Sequence, residues 1–127
     1  MTGIRPTIVL VTTHAALGRV YERHLERFAK VVLVPEIAEF ERQALRLHAS
    51  LLVVDVGSVG GDDDVVSSIR KLRKQPTTKA LHIVVFAARA SSDFVSALHG
   101  VGTDDIILTP HSTPRDIAER LHNMILL

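Results

Sequence analysis

The sequence contains no cysteine and no tryptophan, and only one tyrosine and four phenylalanines in 127 residues. Without thiols it has no disulfide framework, no thiolate nucleophile and no cysteine-ligated zinc, a usage that suits a reducing compartment. Long apolar runs are missing as well. None approaches the ~18–20 residues that a membrane-spanning helix needs. The opening stretch "MTGIRPTIVLVTTHAA" has one Arg and too short an apolar segment for a signal peptide. Nor is there an excess of either charge: 15 Lys and Arg face 14 Asp and Glu, for a net +1. Composition therefore makes no general case for nucleic acid or an anionic membrane as partner. Walker A, dinucleotide-binding and nucleophile-elbow patterns are all absent, and "GSVGG" (57–61) is not the glycine fingerprint of a phosphate cradle. With 46% hydrophobic and 23% charged residues, the expectation is one soluble, cytoplasmic globular domain over residues 1–127, with a core large enough to need no staples.

What is present is an alternation. Five short, β-branched apolar runs, "TIVLV" (7–11), "VVLV" (31–34), "LLVVDV" (51–56), "HIVVF" (82–86) and "DIILT" (105–109), are nearly continuous in hydrophobicity. That pattern marks strands covered on both faces, as in a parallel sheet. Between them apolar residues recur at three- and four-residue steps: Leu17, Val20, Tyr21, Leu25 and Phe28; then Ile37, Phe40, Ala44, Leu45 and His48; then Val65, Val66, Ile69 and Leu72; then Phe94, Val95 and Leu98. Such steps predict helices with these residues turned inward. Asp62–Asp64 are candidate caps of the third helix. Ser91–Ser92 precede the fourth, and Gly100 is its expected stop. Thr113, Pro114 and Asp116 form a capping-box start for the last helix, whose Ile117, Leu121 and Met124 face inward. The order is (βα)₅, which with short loops gives an α/β three-layer sandwich on a parallel five-stranded sheet.

Ligands of such sheets bind beyond the carboxyl ends of the strands. Asp55 closes the third strand run at that edge, a lone carboxylate on an otherwise apolar run. Other constellations are weaker. The seven histidines, at 14, 24, 48, 82, 99, 111 and 122, form no HxH or HExxH motif, and Glu119–His122 is a lone half of a di-iron pattern. His14 and His111 follow strands at the candidate edge without further support. "RKLRK" (70–74) reads as a solvated helix end that complements the dipole. No metal or cofactor is expected.

Several segments in order resemble the receiver domain of bacterial response regulators, over essentially the whole chain: "IVLV" in the first strand, "LLVVDV" ending at Asp55, "GGDDD" (60–64), "IVVFAARAS" (83–91) and "GVGTDDIILTP" (100–110). The resemblance implies a flavodoxin-like fold with strand order 2-1-3-4-5 and Asp55 at the phosphoacceptor position. It also implies a Mg²⁺ site built from two acidic residues after the first strand, the acceptor Asp and a carbonyl two residues later. A Lys before the fifth-strand Pro would hold the phosphoryl group, and a Thr or Ser after the fourth strand and an aromatic on the fifth would respond to it. Here the acidic pair is Thr12 and Thr13, the Lys position is Thr109, the Thr/Ser position is Ala87 and the aromatic position is Ile106. Asp55 remains, with Gly57 offering the carbonyl. Pro110 is retained, and by the resemblance the Thr109–Pro110 bond is expected to be cis.

Mg²⁺ dehydrates reluctantly and wants anionic oxygens in octahedral array. Phosphoryl transfer further requires cationic neutralisation of the equatorial oxygens. The pocket Thr12, Thr13, Gly57, Ala87, Ile106 and Thr109 supplies neither. Asp62–Asp64 could lend charge to a metal and Arg89 could reach Asp55 as a cation, but helix capping and a solvent-facing loop Arg are the expected roles. Asp55 itself reads as a structural carboxylate accepting from the Thr12, Thr13 or Thr109 hydroxyls. The expectation is a degenerate receiver acting in bacterial signalling by protein–protein interaction, independent of Asp phosphorylation and of Mg²⁺. Its partners would be other signalling proteins or a fused effector domain, with a homodimer through the last helix–strand–helix face, where Asp104, Asp105, Arg115, Asp116, Glu119 and Arg120 carry both signs. The alternatives are an atypical receiver phosphorylated on Asp55, and a small-ligand sensor in the vacated pocket.

Overall fold

The computed structural model of the chain describes residues 5–59 and 61–126, and the side chains of all of these except 37–41, 58 and 59. Five strands, β1 (Thr7–Val11), β2 (Lys30–Val34), β3 (Leu51–Asp55), β4 (His82–Ala87) and β5 (Asp105–Leu108), alternate with five helices. These are α1 (Ala15–Leu25), α2 (Ile37–Arg46), α3 (Asp62–Arg73), α4 (Ser92–Gly100) and α5 (Pro114–Ile125). A single helical turn (Val56–Val59) and two 3₁₀ turns (Pro76–Thr78 and Thr109–His111) fill the junctions. All strand pairings are parallel, in the order β2-β1-β3-β4-β5. This is the α/β sandwich that the strand–helix alternation implied, in the flavodoxin-like strand order that the resemblance implied.

The nearly unbroken hydrophobicity of the strands follows from burial on both faces. Val9, Val11, Leu52, Val54, Ile83 and Val85 point to one side, where Ala44 of α2, Val65, Ile69 and Leu72 of α3, and Phe94 and Leu98 of α4 close a core. Ile8, Leu10, Leu51, Val53, Val84 and Phe86 point to the other, under Tyr21 and Leu25 of α1 and Ile117, Ala118 and Leu121 of α5. In the central strand β3, Leu51 through Val54 are all at most 1% exposed. Asp55 is the first residue along it to meet solvent.

Several expectations need correction. Leu17 and Val20, placed inward by their spacing, are 37% and 40% exposed, because the buried stripe of α1 runs through Gly18, Tyr21 and Leu25. The cap of α3 is Gly61, with Asp62–Asp64 in the first turn rather than capping it; there they face the positive end of the dipole. Gly100 lies inside α4, whose chain reversal falls at Gly102 with φ +92. A side chain at Gly102 would be strained by that φ and would meet Arg73 Nε at 3.2 Å. Val56 leaves the strand to start the helical turn, and Ile37 and Phe40 lie outside the described side chains.

Arg73, read from sequence as part of a solvated basic end, ties the amino-terminal edge of the sheet together. It donates to the carbonyls of Gly102 (3.0–3.1 Å) and Thr78 (2.6 Å) and to Asp104 Oδ2 (3.0 Å). That same Asp104 oxygen accepts the Ile83 amide at 2.7 Å. Asp104 is therefore committed within the chain.

Beyond α2, His48 holds φ 50, the left-handed region. The Ala49 amide bonds back to Ala44 and the His48 amide to Leu45, the helix-terminating arrangement in which glycine is usual. A β-carbon there costs energy that glycine avoids. His48→Gly is expected to raise stability by about 1 kcal/mol, seen as a higher urea midpoint at unchanged slope. An unchanged or lower midpoint would show that His48 makes compensating contacts.

Candidate functional site

The carboxyl edge of the sheet is assembled by the ends of β1, β3, β4 and β5 and by the turns that leave them. Thr12 follows β1 directly and is 6% exposed. Its amide donates to Val34 O at 2.9 Å, prolonging the β1–β2 ladder by one bond. Its hydroxyl donates to Asp55 Oδ2 at 2.9 Å and accepts the His14 amide at 3.1 Å. One short side chain thus does two tasks. It turns the chain into α1, and it satisfies one oxygen of the carboxylate on the neighbouring strand. A hydrogen bond to a charged acceptor contributes about 1.5–3 kcal/mol.

Asp55 lies opposite Phe86 in the β3–β4 register and is partly exposed. Its inner flank lines a recess with Leu10, Thr12, Leu17, Gly18, Tyr21 and Phe86 that is too tight to seat a water molecule. Gly18 allows this closeness: a β-carbon there would stand 3.2 Å from the Thr12 methyl and 3.4 Å from Leu33. The ring of Tyr21 packs at 46° to that of Phe86, centroids 5.1 Å apart. Burial first, and the nearby Asp55 charge second, raise the Tyr21 pKa above 10.0.

The other positions are more dispersed. Thr13 and Arg89 are exposed, and Gly57 sits exposed in the helical turn after β3. Ala87 ends β4, 2% exposed and opposite Leu108, and offers no hydroxyl. Ile106 is half-buried and lines a shallow groove of about 270 Å³ with Ala90, Val95, His99, Asp105 and Leu108. Thr109 opens the 3₁₀ turn beyond β5. In the strand order β4 lies between β5 and β3, so Thr109 stands two inter-strand spacings, about 10 Å, from the Asp55 strand. The chain of a lysine spans such a gap; the hydroxyl of Thr109 does not. Of the three threonines considered as donors to Asp55, the structure brings Thr12 to it at hydrogen-bond distance.

The expected cis bond before Pro110 is not found: the Thr109–Pro110 peptide is trans. Pro110 instead occupies the first turn of the 3₁₀ segment, where its fixed φ and missing amide donor fit without isomerisation. No group of three or more His, Asp or Glu side chains is placed to hold a metal ion among the described residues. A cavity of about 410 Å³ lies at the opposite edge of the sheet, where His48, Ser50, Thr78, Leu81, His82 and Ile125 line it. Of the residues that shape the surroundings of Asp55, Tyr21 was legible only as an inward helix position and Gly18 carried no signal; a tyrosine on an apolar stripe does not reveal that it adjoins a carboxylate.

With this geometry in place, the fold can be compared with known proteins. No family model matches the chain, and no curated protein does. Solved structures do match closely in shape. A response regulator from Thermotoga maritima superposes with a TM-score of 0.81 at 22% identity, covering 98% of this chain and 100% of that one. The non-phosphorylated HemR receiver domain from Leptospira biflexa gives 0.78 at 24% identity, over 97% and 96%. HP1043, an orphan response regulator of H. pylori, gives 0.82 at 15% identity, over 96% and 99%. The chain has the fold of CheY-like receiver domains.

The single tyrosine makes the site directly observable. Because the folded-state pKa is raised, the corresponding stability is fully present below the unfolded value near 10 and is lost as pH climbs through the folded one. Absorbance titration at the tyrosinate band is expected to give a midpoint above 10. Asp55→Asn should lower that midpoint without bringing it to the free value, since burial is the larger cause. A midpoint insensitive to Asp55→Asn would show that the two groups do not interact.

Proposed function

We propose that the protein is a degenerate receiver: a cytoplasmic, non-enzymatic module of bacterial signalling that acts by association with other signalling proteins or a fused effector domain. It does so without Mg²⁺ and without phosphorylation of Asp55. The observation that carries this reading is the Thr12 hydroxyl on Asp55 Oδ2 at 2.9 Å. A neutral donor occupies the carboxylate from the very position where the receiver resemblance calls for an acidic metal ligand.

The electrostatics support it. With Thr12 and Thr13 in place of two carboxylates, a Mg²⁺ ion would meet Asp55 and backbone oxygens, too little negative charge to offset the cost of shedding water. Aspartyl phosphate would also lack a cation over its equatorial oxygens, because Thr109 is too short to span from β5. No response would follow either. Ala87 has no hydroxyl to draw toward a phosphoryl group, and Ile106 is an aliphatic side chain already packed on the core beneath α4.

A homodimer through α4, β5 and α5 is the weaker form of the partner reading. Asp105 bonds Arg120 of its own chain at 2.7 Å, Asp104 bonds Arg73 at 3.0 Å, and Arg115 lies 3.8 Å from Glu119. Charges closed within the chain gain little by crossing an interface.

The test is incubation with a small acyl-phosphate donor and Mg²⁺, read by intact mass. An unchanged mass is expected, both for the native chain and for Asp55→Asn. Addition of one phosphoryl group to the native chain that Asp55→Asn abolishes would overturn the reading in favour of an atypical phosphorylated receiver.

A further inference from the structure

The recess beside Asp55 is too tight for a water molecule, so a ligand of any size has to be sought elsewhere. Space for one lies at the amino-terminal edge of the sheet. The cavity of about 410 Å³ is enclosed there by the end of α2, the starts of β3 and β4, the 3₁₀ turn Pro76–Thr78 and the end of α5. That volume falls within the ~300–1,000 Å³ typical of small-molecule sites.

The lining is of two kinds. Leu45, Leu81 and Ile125 make it apolar in part, and His48, Ser50, Thr77 and His82 supply polar side chains. None of these four side chains has a hydrogen-bond partner among the described residues. The hydroxyl of Thr78, by contrast, is spent on the carbonyls of Leu72 and Gln75, both at 2.9 Å. The backbone is spent as well, with the Ser50 amide on Thr7 O at 2.9 Å and the His82 amide on Ser50 O at 3.1 Å. The donors that remain therefore belong to the side chains.

Their surroundings favour an anion. No carboxylate is among the lining residues. Arg46 follows Leu45, and Lys79 lies between Thr78 and Ala80 of the lining; both are exposed. Neither joins an ion pair among the described residues. Cations placed around a cleft raise the local concentration of anionic ligands. His48 adds a further sign, since its φ of 50 is one that glycine would adopt without strain. A β-carbon and its imidazole are kept there against that strain, and strained positions gather at ligand sites. A phosphate group, with three strong acceptor oxygens and nearly two negative charges, matches two imidazoles and two hydroxyls better than a carboxylate does. A bare phosphate ion would leave most of the volume and the apolar lining unused.

We propose that this cavity binds a phosphate monoester carrying a flat, largely apolar body, of the size of a purine nucleoside monophosphate. His48, Ser50, Thr77 and His82 hold the phosphate, and Leu45, Leu81 and Ile125 pack the body. The site lies at the edge remote from Asp55. It does not rest on the degenerate-receiver reading and is unaffected by whether that carboxylate accepts a phosphoryl group.

The probe is AMP titrated into the ¹⁵N-labelled chain, with adenosine and inorganic phosphate as separate arms. The expected result is saturable amide shifts confined to residues 44–50, 77–82 and the end of α5, with each partial ligand at least about tenfold weaker. His48→Gly should weaken AMP at least about tenfold in a chain that is no less stable to urea, an outcome that a purely structural role for His48 does not produce. His82→Gln should do the same, with an otherwise native spectrum verifying its fold. No saturable binding at millimolar AMP, or shifts centred on residues 12, 13 and 55, would overturn the proposal. So would a smaller margin over phosphate, which marks an adventitious anion only, a smaller margin over adenosine, or undiminished affinity in either variant.

Discussion

A carboxylate at the tip of the central strand has to be satisfied, and here a neutral hydroxyl is among its partners. β3 is flanked by β1 and β4, so Asp55 is carried to the carboxyl edge between two apolar ladders and cannot retreat without breaking register. Thr12, one residue beyond the β1 ladder, reaches across one strand spacing to it. Everything else at this edge conforms to that contact. Gly18 lets α1 approach, Tyr21 and Phe86 fill the space beneath, and the His14 amide completes the Thr12 hydroxyl as α1 begins. A hydrated divalent cation asks for the opposite arrangement, with carboxylates directed outward and space for coordinated water.

The sheet separates two faces that are unequally covered. One carries α2, α3 and α4 over the larger core cluster, braced at the far edge by Arg73 and Asp104. The other carries only α1 and α5. Two helices cannot cover a five-stranded face as fully as three, and the flank of α1 beside α5 is where large apolar side chains remain in solvent.

The strand runs were legible because burial on both sides of a parallel sheet writes an uninterrupted apolar code, and the strand order followed from the receiver resemblance and was met. Helix faces were legible less well. The period of α1 admits Leu17 and Val20 as readily as Tyr21 and Leu25, and only the position of the sheet and α5 decides which stripe is covered. The pairing of Thr12 with Asp55 joins residues 43 apart, and sequence offered three threonines for that role; strand order brings Thr12 to the carboxylate and leaves Thr109 two strands away. The cis bond before Pro110 came from resemblance alone. It failed because a 3₁₀ turn accommodates that proline in trans. Arg73 and Asp104 looked like ordinary surface charge, since nothing local reveals that a helix end and a loop 29 residues away converge.

The central claim is electrostatic, and paramagnetic relaxation tests it most directly. Manganese(II) takes the place of Mg²⁺ in oxygen-ligand sites and broadens nearby amide resonances. On titrating the ¹⁵N-labelled chain to millimolar Mn²⁺, the account predicts no selective loss of the signals of residues 12, 13 and 55, while Thr12→Asp with Thr13→Asp creates such a loss. Selective broadening of those three resonances in the native chain would show a working metal site beside Asp55 and contradict it.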